Sequence, residues 1–301
     1  MKLITYLRGN QSRVGVIQGE MIVDVGDYYP DILSIIKAGD HGLKKLNEIL
    51  KSNPVQRPLK RESLLSPIPN LGRNIFCVGW NYLEHFNERT RKDIDLPASP
   101  TIFTKATGTV AGPYEEVPLA ESFTQMFDYE AELAVVIGRE GKRISEEEAP
   151  DYVFGYMSAN DLSARDVQQQ HGGQWFMGKS MDKSCPMGPW LVTKDEIEDV
   201  QNLDIYCKVN GEIVQSSNTS LMIFSINKII AEISKAMTIK PGDIILTGTP
   251  SGIGSKRNPP ILLKAGDEVE VYISEIGGIK NKIIEETVKD ELNNNFYTQK
   301  I

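Results

Sequence analysis

The stretch Asp128-Tyr129-Glu130-Ala131-Glu132-Leu133-Ala134-Val135-Val136-Ile137 decides how this chain is read. Residues two apart on a β-strand share a face, so Glu130 and Glu132 point one way while Ala131, Leu133 and Val135 point the other. Their Cα atoms would lie roughly 6–7 Å apart, a gap that two glutamate side chains can close onto one cation. Carboxylates held this close on an apolar strand repel unless a metal or a proton neutralises them. An exposed polar face is the alternative, but Ala134 and Val136 continue the same face as apolar residues. The strand therefore reads as entering a core.

A third acid follows in Gly155-Tyr156-Met157-Ser158-Ala159-Asn160-Asp161. An apolar strand ends there and Asp161 falls at a strand-to-helix junction, where functional groups often sit. The competing role for Asp161 is an N-cap of the next helix. Three carboxylates without a cysteine or histidine cluster favour a hard cation, Mg2+ or Mn2+, over zinc.

Outward from this segment, Ile75–Val78, Ile102–Thr104, Met126–Ile137, Val153–Ala159, Leu203–Val209, Asp243–Thr247 and Glu268–Ile273 read as strands. A helix is predicted from Ser225 to about Met237, with Ile226, Ile229, Ile230 and Ile233 buried. Strands and helices do not alternate regularly, which argues against a doubly wound parallel sheet. At the N-terminus, Leu3–Tyr6, Val14–Ile17 and Met21–Val23 read as strands, and Asp40 as the N-cap of a helix using Leu43, Leu46, Ile49 and Leu50. Pro54, Pro58, Pro67 and Pro69 then punctuate the chain. A boundary near residue 70 divides a small N-terminal α+β module, 1–70, from a mainly β domain, 71–301. The module carries no cluster of chemically useful residues.

The 301 residues carry a formal charge of −8, with 40% apolar and 25% charged residues, ordinary for a globular protein. No basic run stands out, which argues against a nucleic-acid partner. The longest apolar run, Leu133 to Ile137, is far below the ~20 residues of a membrane span. Residues 1–8 are too short an apolar stretch for a signal-peptide core. Cys77, Cys185 and Cys207 are odd in number and show no CxxC spacing, which fits reduced thiols and a cytoplasmic location.

Several segments in order resemble the fumarylacetoacetate hydrolase superfamily over roughly residues 67–285. They are Gly79-Trp80-Asn81-Tyr82-Leu83-Glu84-His85-Phe86-Asn87-Glu88, the two-glutamate strand, and Asp161-Leu162-Ser163-Ala164-Arg165-Asp166. Gly178-Lys179-Ser180, Cys185-Pro186-Met187-Gly188-Pro189 and Thr247-Gly248-Thr249-Pro250-Ser251-Gly252 follow. The layout, with a small domain before the core, is similar to bacterial acylpyruvase and oxaloacetate decarboxylase members.

This resemblance implies an α+β, mainly β fold, a mixed β-sandwich roll, and a homodimer with one divalent metal per subunit. It implies Glu130, Glu132 and Asp161 as metal ligands and Lys179 as the active-site lysine. His85 and Glu88 would form a catalytic dyad, with Arg165, Gln168 and Thr249 at the substrate. Positions i and i+3 share a helical face, so Glu88 can hold the His85 imidazole in one tautomer. His41 and His171 match nothing and are read as non-catalytic.

The expected reaction is cleavage of a C–C bond next to the carbonyl of a small 2-oxo acid, by acylpyruvate hydrolysis or oxaloacetate decarboxylation, through an enolate. The alternatives are an isomerase or hydratase of 2-hydroxy-dienoates, and a metal-retaining binding or regulatory protein without turnover. The charged segment Phe86 to Asp95 is expected to serve as a lid. A phosphate-loop reading of Thr247 to Lys256 fails because Lys256 follows Gly254-Ser255 in the wrong order. Its glycines are expected to make tight turns that bring Thr249 to the substrate.

Overall fold

A computed structural model describes residues 1–52, 54–88 and 95–286. Of the expected two-glutamate strand, Ala131–Ile137 forms and is buried on both faces, carrying Glu132, while Glu130 stands just before its first residue. Leu133, Val135 and Ile137 share one core with Ile205, Val269, Val271, Ile273 and Ile279 of a second sheet. Ala134 and Val136 share another core with the N-terminal residues Leu3, Val14, Val16, Ile32, Ile35 and Leu46. A strand covered on both sides must be apolar in both registers, which explains the unbroken run of small and branched residues.

The larger sheet orders its strands Gln56–Pro58, Met21–Asp24, Gln11–Gln18, Lys2–Arg8, Cys185–Thr193, Val153–Asn160, Ala131–Ile137, Ile244–Leu246, Ile75–Gly79 and Thr101–Lys105. Only Ile244–Leu246 with Ile75–Gly79 is a parallel pair along this path. The second sheet orders Glu212–Asn218, Asp204–Val209, Glu268–Ile273, Gly277–Glu285 and Val117–Leu119. The result is the expected mixed, mainly β architecture. The N-terminal strands extend the large sheet, Lys2 pairing with Val192 and Leu3 with Leu191.

Helix Ile226–Ala236 forms as expected, with the Ser225 hydroxyl accepting from Lys228 N. Two expectations need correction. The N-terminal helix begins at Ile32, and its N-cap is Asp31, whose carboxylate accepts from Ser34 N at 2.7 Å. It breaks at Gly39 (φ 54°, ψ −136°) and resumes, so the Asp40 reading found only its second half. A left-handed φ of this kind is open to glycine and strained in other residues.

The expected strand Met126–Ile137 is also two strands, Phe127–Asp128 and Ala131–Ile137. Phe127–Asp128 pairs with Ser163–Ala164 instead of joining the large sheet. Across the break, Glu130 N and Ala131 N donate to the side-chain oxygens of Asn160 and Gln215. Two side-chain amides thus replace ladder bonds where the chain changes partners. Strands Cys185–Thr193, Glu212–Asn218 and Gly277–Glu285 were not anticipated. Pro186, Pro189 and the glycines hid the first and third, because both residue types read as breakers.

Candidate functional site

Register brings the acids together. Ala131 stands opposite Asn160 and Glu132 opposite Ala159, so Asp161 emerges beside Glu130, and Asp161 N donates to Glu130 O at 2.9 Å. Candidate ligand oxygens of Glu130, Glu132 and Asp161 lie within 4.8 Å of one another, and all three residues are buried. Asp161 caps no helix: its carboxylate accepts from Lys105 Nζ and Lys179 Nζ, each at 2.8 Å.

The cluster is held by buried cations. Lys179 Nζ also donates to Glu130 Oε2 at 2.6 Å and makes no ion pair with Asp182. Arg165 Nε donates to Asp128 Oδ2 at 2.9 Å. Arg165 Nη2 lies 2.6 Å from Glu130 Oε1, a charge contact whose angle falls outside hydrogen-bond geometry. Burial raises the Glu130 carboxyl, but Arg165 and Lys179 outweigh it and bring it down to about 2. Burial, then the charges of Asp161 and Glu130, push Glu132 well above the usual carboxylate range. Burial also lowers Lys179, but Asp161 and Glu130 outweigh it and keep the amine cationic.

An all-oxygen set of three buried carboxylates, free of thiol and imidazole, suits a hard divalent cation. One member held ionised and another made costly to ionise by its neighbours is the charge pattern a cation relieves. The residues present fit Mg2+ or Mn2+.

Glu130, Glu132, Lys179, Arg165, Gln168, Thr249, His85 and Glu88 all line one cavity of about 330 Å³. His85 and Glu88 sit on and just past the short helix Leu83–Asn87, with His85 Nδ1 at 2.8 Å from Glu88 Oε2. Glu88 Oε1 in turn accepts from Gly252 N at 2.7 Å, and Glu84 accepts from the Ser251 hydroxyl at 2.9 Å. The helix is thereby latched to loop 247–252. Thr249 Oγ1 accepts from Gln215 Nε2 at 2.9 Å, and Gln168 Oε1 accepts from Arg165 Nη1 at 3.3 Å. His41 and His171 are exposed and off the cavity. Within the expected lid, residues 89–94 lie outside the described residues.

Sequence reasoning missed Lys105, which is fully buried against Asp161. Its one visible signal was a lysine closing an apolar strand. Asp128 was quoted but given no role; besides Arg165 it accepts from Gly254 N at 2.7 Å and Ser255 N at 3.0 Å. Trp80, Trp175 and Phe103 form an edge-to-face aromatic wall, with centroids 4.7 and 5.1 Å apart, that no spacing announced. Cys77, Cys185 and Cys207 are buried free thiols, and no described helix is long and apolar enough to cross a membrane.

Residues 74–284 match the family described as fumarylacetoacetate (FAA) hydrolase C-terminal. The chain is 44% identical over 273 residues to the mitochondrial oxaloacetate tautomerase fahd2 of Xenopus laevis, covering 88% of this chain and 83% of that one. It is 47% identical over 240 residues to oxaloacetate tautomerase YisK of Bacillus subtilis, covering 80% and 78%. Among solved structures, a fumarylacetoacetate hydrolase from Exiguobacterium antarcticum superposes with a TM-score of 0.82 at 35% identity, covering 95% of this chain and all of that one. Maleylpyruvate hydrolase from Sphingobium sp. SYK-6, in complex with manganese(II) and pyruvate, gives 0.78 at 28% identity over 95% of this chain and all of that one. The chain belongs to the fumarylacetoacetate hydrolase family.

Proposed function

We propose that this protein is a Mg2+- or Mn2+-dependent enzyme that interconverts the keto and enol forms of oxaloacetate. The observation that carries the reading is the meeting, around one cavity, of Glu130 and Glu132, which cluster with Asp161, with the buried Lys179 and the His85–Glu88 pair. The names of the relatives supply the substrate.

When bound at Glu130, Glu132 and Asp161, the cation supplies Lewis-acid stabilisation of charge on the 2-keto oxygen. Lys179 adds a fixed positive charge at that developing oxyanion. Glu88 engages Nδ1 of His85 and leaves Nε2 to exchange the proton at C3. Removing that proton turns the C3–H pair into the C2=C3 bond, and the C2 oxygen takes up a proton to complete the enol. Arg165 keeps Glu130 ionised, while Gln168 and Thr249 contact the substrate.

Loss of CO2 from oxaloacetate leaves an enolate of the same kind, so decarboxylation is the second reading and draws on the carboxylate cluster and Lys179 without a base at C3. Acylpyruvate hydrolysis would add an attacking water activated by His85. A cytoplasmic homodimer belongs to the same proposal, as does a structural role for residues 1–70, none of which lines the cavity.

The test follows the absorbance of enol-oxaloacetate, and pyruvate release, with purified protein and Mg2+ or Mn2+. Expected are ketonisation well above the buffer rate, its loss in EDTA and its return with metal. Full activity in EDTA, or a rate no faster than buffer, would sink the reading; acylpyruvates and 2-hydroxy-dienoates in the same assay expose the alternatives.

A further inference from the structure

We propose that Lys256 recognises the remote carboxylate of a dicarboxylic 2-oxo acid and so selects this enzyme's substrate class. The inference rests on the reading that a 2-oxo acid is held head-first at the three carboxylates.

Among the described residues, three permanent cations line the cavity: Arg165, Lys179 and Lys256. Arg165 is engaged by Asp128 and Glu130, and Lys179 by Glu130 and Asp161. Lys256 makes no ion pair with any carboxylate among the described residues and is exposed to solvent. Its backbone is nevertheless fixed. It ends the turn Gly254–Lys256, which both oxygens of Asp128 grip through Gly254 N and Ser255 N. Asp128 Oδ2 also holds Arg165, so the root of Lys256 is tied through one carboxylate to the centre of the site.

Gly254 allows that grip. A Cβ there would lie 1.9 Å from Ile261 O and 2.7 Å from Asp128 Oδ1. The turn can press against its neighbours only without a side chain.

The chemistry of the remaining wall makes Lys256 selective. Trp80, Trp175 and Phe103 carry no charge to balance a second carboxylate. Glu88, Glu130 and Glu132 repel it. A monocarboxylic 2-oxo acid needs nothing beyond the head site, whereas a dicarboxylic one gains a charge-assisted hydrogen bond from Lys256.

Two acids isolate the contact: oxaloacetate, and 2-oxobutanoate, which carries a methyl in place of the remote carboxylate. Lys256→Met should raise the KM for oxaloacetate about tenfold, between the effects of exposed and charge-assisted contacts, with little change in kcat. The inhibition constant of 2-oxobutanoate should change less than about twofold, since it makes no contact worth more than ordinary packing. Lys256→Arg should restore most of the oxaloacetate affinity. Calorimetric titration of the Mg2+-loaded protein with both acids reads the same contrast where turnover is absent. Wild-type protein that binds but does not turn over oxaloacetate overturns the proposed reaction and leaves this assignment standing. Equal weakening of both acids in Lys256→Met, or of neither, overturns the assignment.

Discussion

Replacing Glu132 by glutamine separates the repulsion within the carboxylate cluster from its capacity to hold a cation. Glu132 is 1% exposed, and its Oε2 accepts from Gly248 N at 2.7 Å, a bond that a glutamine oxygen keeps. At an effective dielectric of about 20, two unit charges at the 4.8 Å limit of the cluster repel by about 3.5 kcal/mol, part of which Lys179 offsets. The metal-free variant should therefore be at least as stable as metal-free wild type. A cation present at about 100 times its Kd adds about 2.7 kcal/mol to the protein that binds it. For a chain of this size that is on the order of 5 °C in Tm. Thermal unfolding in EDTA and in excess Mn2+ measures both effects. Wild type should gain that shift and Glu132→Gln almost none. A variant that gains it in full, or that is several kcal/mol less stable without metal, would refute the reasoning and make Glu132 a structural ion.

Removing His85 should leave head-group chelation intact, so His85→Ala should bind oxalate nearly normally while losing ~10²-fold or more in rate; unchanged turnover would return the pair to a structural role. Glu88→Gln should give a milder loss of the same kind, by weakening control of the His85 tautomer. If acylpyruvate hydrolysis is the reaction, His85→Ala should stop it, whereas oxaloacetate decarboxylation should survive in part. Gly254→Ala forces its Cβ onto the backbone oxygen of Ile261 and should lower stability by about 1–3 kcal/mol, read by denaturant melts; a variant as stable as wild type would show that the turn yields freely. Burial raises the Asp24 carboxyl, but bonds from Arg13, Tyr6 and Gly26 outweigh it and hold it below the usual range. Its contribution is present above the unfolded pKa of about 3.9 and fades as pH falls through the lower folded value. Asp24→Asn should then be less stable by about 1–2 kcal/mol at pH 7, with the gap closing near pH 2–3; a gap independent of pH would contradict this.

The paired glutamates, the third acid and the histidine dyad were legible because each is local. Glu130 and Glu132 stand two apart, Glu132 on the strand and Glu130 just before it, and one helical turn joins His85 to Glu88. The same locality made helix Ile226–Ala236 and most strands readable from periodicity. The antiparallel register of Ala131 against Asn160, which delivers Asp161 to Glu130, is a pairing between strands and leaves no periodic trace in either. Lys105 reaches Asp161 across 56 positions, and Asp128 grips Gly254 and Ser255 across 126 and 127. Such contacts join groups that neither propensity nor spacing relates, and they exist only once the sheets have packed. Residue types and their order along the chain were enough to name the family. Which cations the buried carboxylates engage was decided by packing, because a charge removed from water takes the partner that folding brings within reach.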